Sequence, residues 1–489
     1  MRRLRRLIFA LIILGLIAVA TLFTVNTISF SSKQINVEAI EPLKISYEAV
    51  ARLAAAVKYP TVSLEESIDT AAFRGLDTFF WKSFPLVDSM LERETIGGFS
   101  YILKWPGQNA RLAPILLMAH LDVVPVEDAG SRWTVKPFSG MVKDEFIWGR
   151  GTLDDKVSAC GILEAVELLL EVDYAPQRTV FIAFGHDEEV GGGNGAGMIA
   201  QAFKKRNITF DYILDEGSLI VENALSGLDE PLALIGVAEK GYATLDLSLN
   251  LPEGGHASMP PKGSAINILG NALVKLENNP SPAKIEGAVK DMFEYAGPEM
   301  GLFQKVVFAN LQWTETLVKL QMAAAPSSNA MLRSTTAPTI IHSGFKENVL
   351  PTKAIAKLNC RILPGESVKE VMNYVYKTID DNRVVVSLGN GSQASEPPPV
   401  SDQNTFGYSV IQTTIRQVFP EAVVAPALVV GTTDSRHFQD LSPNIYRFLP
   451  AQVSKDDLKR FHGVDERIGV KAYEQVIRFY RQLILNSGK

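Results

Sequence analysis

"RTVFIAFGHDEEVGGG", residues 178–193, decides the fold. Val180 to Phe184 is a short, unbroken apolar run that ends in glycine, three adjacent carboxylates and a glycine cluster. A run of this length without polar alternation reads as a strand buried on both faces. Asp187, Glu188 and Glu189 at its end repel one another unless a cation lies among them.

The same pattern recurs on either side. "APILLMAHLDVVP" (113–125) is an apolar strand ending at His120, and "FDYILDEGS" (210–218) is another, ending at Asp215. Between the first two lies "KVSACGILEAVELLLEV" (156–172), where Val157, Ile162, Leu163, Val166 and Leu170 recur at helical spacing. Apolar strands alternating with helices indicate an α/β fold built on a mostly parallel sheet. Ligands of such sheets gather beyond the carboxyl ends of the strands. His120, Glu188, Glu189 and Asp215 all fall there, on one rim.

The pattern then changes. "GYATLDLSLNLP" (241–252) and "KAIAKLNCRILP" (353–364) alternate apolar and polar residues, as half-buried antiparallel strands do. Helical patterns follow each, around 263–277 and 366–381. A smaller α+β lid domain, of the dimerisation type, is therefore expected as an insertion over 241–395. The catalytic domain spans 41–240 and resumes over 396–489. "SQASEPPPVSDQN" (392–404) forms the return linker, and a final helix spans 469–485. Residues 285–332 read as an addition to the lid. Their apolar bulk, including Met292, Phe293, Leu302, Phe303, Trp313 and Leu317, needs a partner: the lid's own core, a subunit interface or a substrate tail.

At the N-terminus, four arginines among residues 2–6 precede Leu7 to Val25, which carry no charge. That length crosses a bilayer as one helix. The arginines orient it as an uncleaved single-pass anchor with a cytoplasmic N-terminus and an exported catalytic domain. The rival is a cleaved signal peptide and a secreted protein. The whole chain has 489 residues, 21% charged, with a net charge of −6. Nothing in that balance points to nucleic acid. "GGGNGAG" (191–197) lacks the Lys-Ser/Thr ending of a phosphate loop. Cys160 and Cys360 read as two buried free thiols rather than a disulfide framework.

Carboxylates clustered with histidines suggest a divalent metal site. Its candidates are His120, Asp122, Asp154, Asp155, Glu188, Glu189, Asp215 and His462. Mixed nitrogen and oxygen donors suit zinc, with cobalt or manganese as alternatives. One shared carboxylate would hold two ions about 3.5–4 Å apart, the spacing of two-metal hydrolases.

Five segments in order, "HLDVVP" (120–125), "GRGTLDDK" (149–156), "DEEVGG" (187–192), "LDEG" (214–217) and "HGVDE" (462–466), resemble the co-catalytic zinc peptidases of the carboxypeptidase S, aminoacylase and glutamate carboxypeptidase type. "TTAPTIIHSGFKENVLP" (335–351), "GTTDSRHF" (431–438) and the N-terminal apolar segment resemble most the subgroup of carboxypeptidase S and the N-fatty-acyl-amino-acid synthase/hydrolase. The resemblance implies that His120 and Asp215 hold one zinc ion, that Glu189 and His462 hold the other, and that Asp154 bridges both. It implies that Asp122 orients His120, that Glu188 is the general base, and that Asp187 has no direct role. In "GGHASMP" (254–260), His256 would help hold the oxyanion. Asn348, Arg361 and Arg436 would contact the substrate's amide or carboxylate. His186, His342 and His437 are expected in packing or surface roles.

The expectation is a membrane-anchored or exported amidohydrolase with two Zn2+. It would cleave a peptide or N-acyl amide bond beside a free α-carboxylate and act on small peptides or N-acyl amino acids, with the lid as the surface through which a homodimer could form. The alternatives are an aminopeptidase or dipeptidase on the same scaffold, and a non-catalytic membrane-anchored binding module. The latter should have lost a ligand or the base, and none is missing.

Overall fold

The computed structural model describes residues 2–65, 67–127, 131–389 and 394–488. The chain opens with a long apolar helix, α1 (Arg2–Ser29). A ten-stranded mixed sheet then begins with β1 (Glu92–Ile96), β2 (Ser100–Trp105), β3 (Ile115–His120), β4 (Val180–Gly185), β5 (Ile213–Asp215), β6 (Ile220–Glu222) and β7 (Leu232–Glu239). It is completed after a long excursion by β12 (Val423–Val429), β13 (Ile445–Arg447) and β14 (Gln452–Ser454). The spatial order is β14-β6-β7-β13-β5-β3-β4-β2-β1, and β12 also pairs with β7.

The centre, β13-β5-β3-β4, is parallel. β1 and β2 at one side, and the β6–β7 and β7–β13 pairs toward the other, are antiparallel. The central strands lack alternation because each face has its own core. Ile115, Leu117 and Ala119 of β3 join one cluster, with Val180, Ile182 and Phe184 of β4. Leu116 and Met118 point to the other, with Phe181 and Ala183. Helix α2 (Lys156–Leu170) lies on the first face, and α3 (Ala196–Lys205) covers the second through Ile199 and Phe203. α2 is buried almost all round, because α10 (Val470–Ser487) packs on its far side. Gly161 permits that approach: a Cβ there would lie 2.6 Å from Val476.

The excursion carries a separate four-stranded antiparallel sheet. Its strands are β8 (Gly241–Asn250), β9 (Thr335–Ser343), β10 (Lys353–Ile362) and β11 (Val384–Leu388), in the order β9-β10-β8-β11. Ala243, Leu245, Leu247 and Leu249 share one face with Ala354, Ala356, Leu358, Cys360 and Ile362. Two helices cover that face, α4 (Ala265–Asn278) and α8 (Val368–Ile379). α8 starts at a reciprocal cap, in which Ser367 and Glu370 each accept from the other's backbone N–H. Cys160 and Cys360 are free and buried in different cores. Residues 394–404 of the return linker form one bridge, Ser395 to Tyr242, and no regular element; residues 392–393 lie outside the described residues.

One expectation is corrected. Residues 285–332, expected as an addition to the lid, do not join the core of the four-stranded sheet. Helix α5 (Gly287–Ala296) lays Val289, Met292, Phe293 and Ala296, one helical face, against β12 and the large core. Met300, Val318 and Leu332 are buried in the same cluster. The stretch continues as α6 (Leu302–Ala309) and α7 (Leu311–Ala323), with α6 against the end of α1. An apolar helix face has no sequence preference between two apolar partners; chain geometry makes the choice here.

A candidate metal centre at the carboxyl edge of the parallel strands

The register of the central strands sets His120 of β3 opposite Gly185 of β4. The segment 186–189 follows at once, and β5 ends beside it at Asp215. Asp154 comes from the loop before α2. His462 comes from a turn near the C-terminus, where its own φ is 54°.

These residues converge on Asp154. One of its carboxylate oxygens lies 2.8 Å from His120 Nε2, and the other lies 3.0 Å from His462 Nε2. Glu189 Oε2 is 3.3 Å from His462 Nε2, and Glu216 Oε1 is 3.5 Å from His120 Nε2. The result is two imidazoles and two further carboxylates around one shared carboxylate, with Glu189 Oε1 buried and, among the described residues, without a hydrogen-bond partner. A buried acceptor unpaired among other carboxylates fits a cation between them. This nitrogen and oxygen donor set fits zinc, cobalt or manganese.

Glu216 is the residue the sequence reading missed. Asp215 was the expected ligand, but its carboxylate is occupied elsewhere. It accepts from the backbone N–H of Glu216 at 2.9 Å and of Ser435 at 2.8 Å. The chain leaves β5 at that point, and it is the next side chain that reaches His120. "LDEG" offers two adjacent carboxylates, and side-chain direction at the strand end chooses between them.

The three carboxylates of the opening stretch divide in space. Asp187 accepts from the N–H of Asn194 and Gly195, both at 2.8 Å, and so pins the glycine loop onto the start of α3. Glu189 lies at the cluster. Among the described residues, Glu188 makes no side-chain hydrogen bond that would hold it there. Burial pushes its carboxyl well above the usual range; the charges of Asp434, Glu216 and Glu189 add to this, and His120 opposes it. Burial also pushes Glu216 up to about 7, helped by Asp154. Hydrogen bonds that its ring N–H donates to Asp154 and Glu189 raise His462 to about 10.

Asp122 is fully buried and ties the parts together. Its carboxylate oxygens accept from the N–H of Glu188 and of Glu189, each at 3.1 Å. Its carbonyl oxygen lies 3.0 Å from His120 Nδ1, which directs Nε2 toward Asp154. Glu466, the last residue of "HGVDE", does comparable work that the sequence reading did not assign. It is fully buried, takes Arg150 Nη1 at 2.6 Å, and accepts from the N–H of Gly151, Leu153 and Asp154. Arg150 in turn donates to the carbonyls of His462 and Gly463. One ion pair thus joins the loop of Asp154 to the turn of His462.

Arg361 leaves the polar side of β10, stacks over Tyr242 at 4.9 Å and donates to Thr432 at 3.3 Å. Arg436 donates to the carbonyl of Gly191, two residues past Glu189. His256 and Asn348 are neighbours on an exposed ribbon that pairs Gly255–His256 with Val349–Leu350. His256 Nδ1 lies 2.7 Å from Ser258 Oγ, and no hydrogen bond or ion pair among the described residues joins it to the cluster. His186 is buried against Phe73 and Phe99, His437 meets the Gly191 carbonyl, and His342 is exposed.

Residues 116–486 match the model of peptidase family M20/M25/M40. The chain is 40% identical over 487 residues to the probable carboxypeptidase S-like 2 of Dictyostelium discoideum, covering 97% of this chain and 93% of that one. It is 42% identical over 438 residues to the N-fatty-acyl-amino acid synthase/hydrolase PM20D1.1 of Danio rerio, covering 88% and 84%. Its fold is similar to that of the M20 family metallo-carboxypeptidase Sso-CP2 from Sulfolobus solfataricus, with a TM-score of 0.66, 18% identity, and 90% and 99% of the two chains covered. The chain belongs to peptidase family M20/M25/M40 and is a metallopeptidase-type hydrolase.

Proposed function

We propose that the protein hydrolyses an N-acyl amino acid or a small peptide at the amide bond beside a free α-carboxylate. Asp154 carries this reading: a carboxylate between two imidazoles, with a further carboxylate beside each, suits a pair of ions. His120 and Glu216 would hold one zinc ion, Glu189 and His462 the other, and Asp154 both. Bound ions would polarise the scissile carbonyl and make water more acidic.

Glu188 acts as general base. Water attacks the amide carbon while the Glu188 carboxylate takes its proton. The C–N bond then breaks as Glu188 delivers that proton to the leaving nitrogen. Arg361 or Arg436 pairs with the substrate carboxylate, for which a guanidinium fork is suited. We assign His256 to the carbonyl oxygen and Asn348 to the substrate amide, and we read the four-stranded sheet and its helices as the lid that carries them. The exposed edge strand β9, with Ile340 and Ile341 open to solvent, suits pairing with a second lid.

Helix α1 serves as the membrane anchor. Its 28 residues extend about 42 Å, enough to cross the hydrocarbon core, and its apolar side chains are exposed. N-terminal sequencing of the native protein checks this, since a mature chain starting near residue 30 would mean a cleaved leader.

The reaction is tested with zinc-loaded full-length protein in detergent, using N-acyl amino acids and their C-terminal amides. The free acids should be cleaved, and the amides at least about 10²-fold more slowly. Equal turnover of acid and amide, or a requirement for a free N-terminus, would overturn the reading.

A further inference from the structure

Among the described residues, most of α1 packs against nothing, but its last turn does. Phe23, Asn26, Thr27 and the following Phe30 are half-buried and share one helical face, while Leu7 to Leu22 are exposed. Asn26 Nδ2 donates to Asn310 Oδ1 at 2.9 Å, and Asn310, itself fully buried, sits at the junction of α6 and α7. The Phe30 ring lies against Gly297, where a Cβ would come within 2.8 Å of it. Just beyond, Gln34 exchanges hydrogen bonds with both the N–H and the carbonyl of Val424 on β12, and Lys33 pairs with Glu294 at 2.7 Å. The exit of α1 is therefore fixed to the body of the protein, with no free tether between them.

The helices that receive it are themselves exposed on one side. Leu302, Phe303, Trp313, Leu317 and Leu320 are each between 55% and 75% exposed. On α7, Trp313, Leu317 and Leu320 follow one another at helical spacing, with Val318 buried on the opposite side. The charged residues of α7 stay off this face: Glu315 and Lys319 pair with each other, both partly covered. Water is a poor partner for so many large apolar groups on adjoining helices. What adjoins them is the point where an apolar helix of membrane-spanning length enters the protein.

We propose that this face of α6 and α7 is a second membrane contact, seated at the headgroup–acyl boundary of the bilayer that α1 crosses. It rests on the reading of α1 as a membrane span. An uncharged face with a tryptophan and bulky aliphatic residues fits that boundary. A rigid span plus a seated face fixes how the molecule stands on the membrane, which a span on a flexible tether would not do.

The test uses full-length protein in phosphatidylcholine vesicles, either plain or brominated near the top of one acyl chain. Trp313 fluorescence is isolated as the difference between wild type and Trp313→Phe. The brominated lipid should at least halve the Trp313 signal, and aqueous iodide should leave it nearly unchanged. Trp81, Trp105, Trp133 and Trp148 should show little response to the brominated lipid. Flotation with the vesicles but equal Trp313 signal in both lipids would overturn the seated face while leaving the anchor in place. Shielding from both quenchers would also overturn it, in favour of a protein partner. Failure to float at all would sink the anchor and the face together.

Discussion

Replacing Glu466 with Gln changes one atom, yet the structure gives it a large effect. The carboxylate faces donors only: Arg150 Nη1 at 2.6 Å on one oxygen, and the N–H groups of Gly151 at 2.9 Å, Leu153 at 2.8 Å and Asp154 at 3.3 Å on the other. Gln can keep its oxygen on the backbone trio, but its NH2 then meets Arg150, donor against donor. Breaking one side of a buried ion pair costs about 3–5 kcal/mol. Arg150 keeps its bonds to the carbonyls of His462 and Gly463, so the lower end is expected, about 3 kcal/mol. With an unfolding entropy of about 2.1 cal/mol/K per residue in a chain of 489 residues, that corresponds to a fall of roughly 3–5 °C in melting temperature. Because Glu466 holds both the Asp154 loop and the His462 turn, metal affinity should drop about 10–100-fold, as it does when a group that orients a ligand is lost. Calorimetry of the metal-free protein and zinc titration against a competing chelator measure the two effects. Saturating zinc should restore much of the turnover. Unchanged melting and unchanged zinc affinity would refute the claim that this ion pair assembles the site.

Three further substitutions and one substrate series test separate parts. Asp154→Ala should lose metal, read by elemental analysis; two tightly held ions in that variant would remove its shared role. Glu216→Gln should lower metal content toward one ion per chain. Asp215→Asn should keep both ions and instead lose about 1–3 kcal/mol of stability, because its amide would oppose the N–H of Ser435 or Glu216. In a series of N-acyl amino acids, kcat/KM should rise with acyl length by up to about fourfold per buried methylene, the equivalent of about 0.8 kcal/mol. A flat profile from acetyl to long acyl chains would leave short peptides as the substrates.

Much of this architecture is legible in the chain because single residues carry it. The unbroken apolar runs at 115–119 and 180–184 read as strands covered on both faces, and the residues closing parallel strands lie on one rim. His120, Asp154, Glu189 and His462 are each set in a short segment of distinctive composition, and the structure gathers those four. Asp215 and Glu216 were not separable, since both are carboxylates at a strand end and only the direction of exit from the sheet distinguishes them. Residues 285–332 read as an addition to the lid with three partners open, yet they pack on the large core, because Val289, Met292 and Phe293 suit any apolar surface. Glu466 was visible within "HGVDE", but its role depends on Arg150, more than 300 positions away in sequence, and no local pattern encodes that pairing. His256 and Asn348 stand together on an exposed ribbon, and among the described residues no hydrogen bond or ion pair joins His256 to the metal-site cluster.

The most direct measurement pairs metal content with turnover in Glu188→Gln. Gln matches the shape of the side chain but cannot take up a proton from water. If Glu188 transfers the proton and Glu189 and its neighbours hold the ions, this variant should retain two metal ions per chain and lose about 10²–10⁴-fold in turnover. Full activity in the variant, or the loss of an ion along with activity, would contradict that division between adjacent carboxylates.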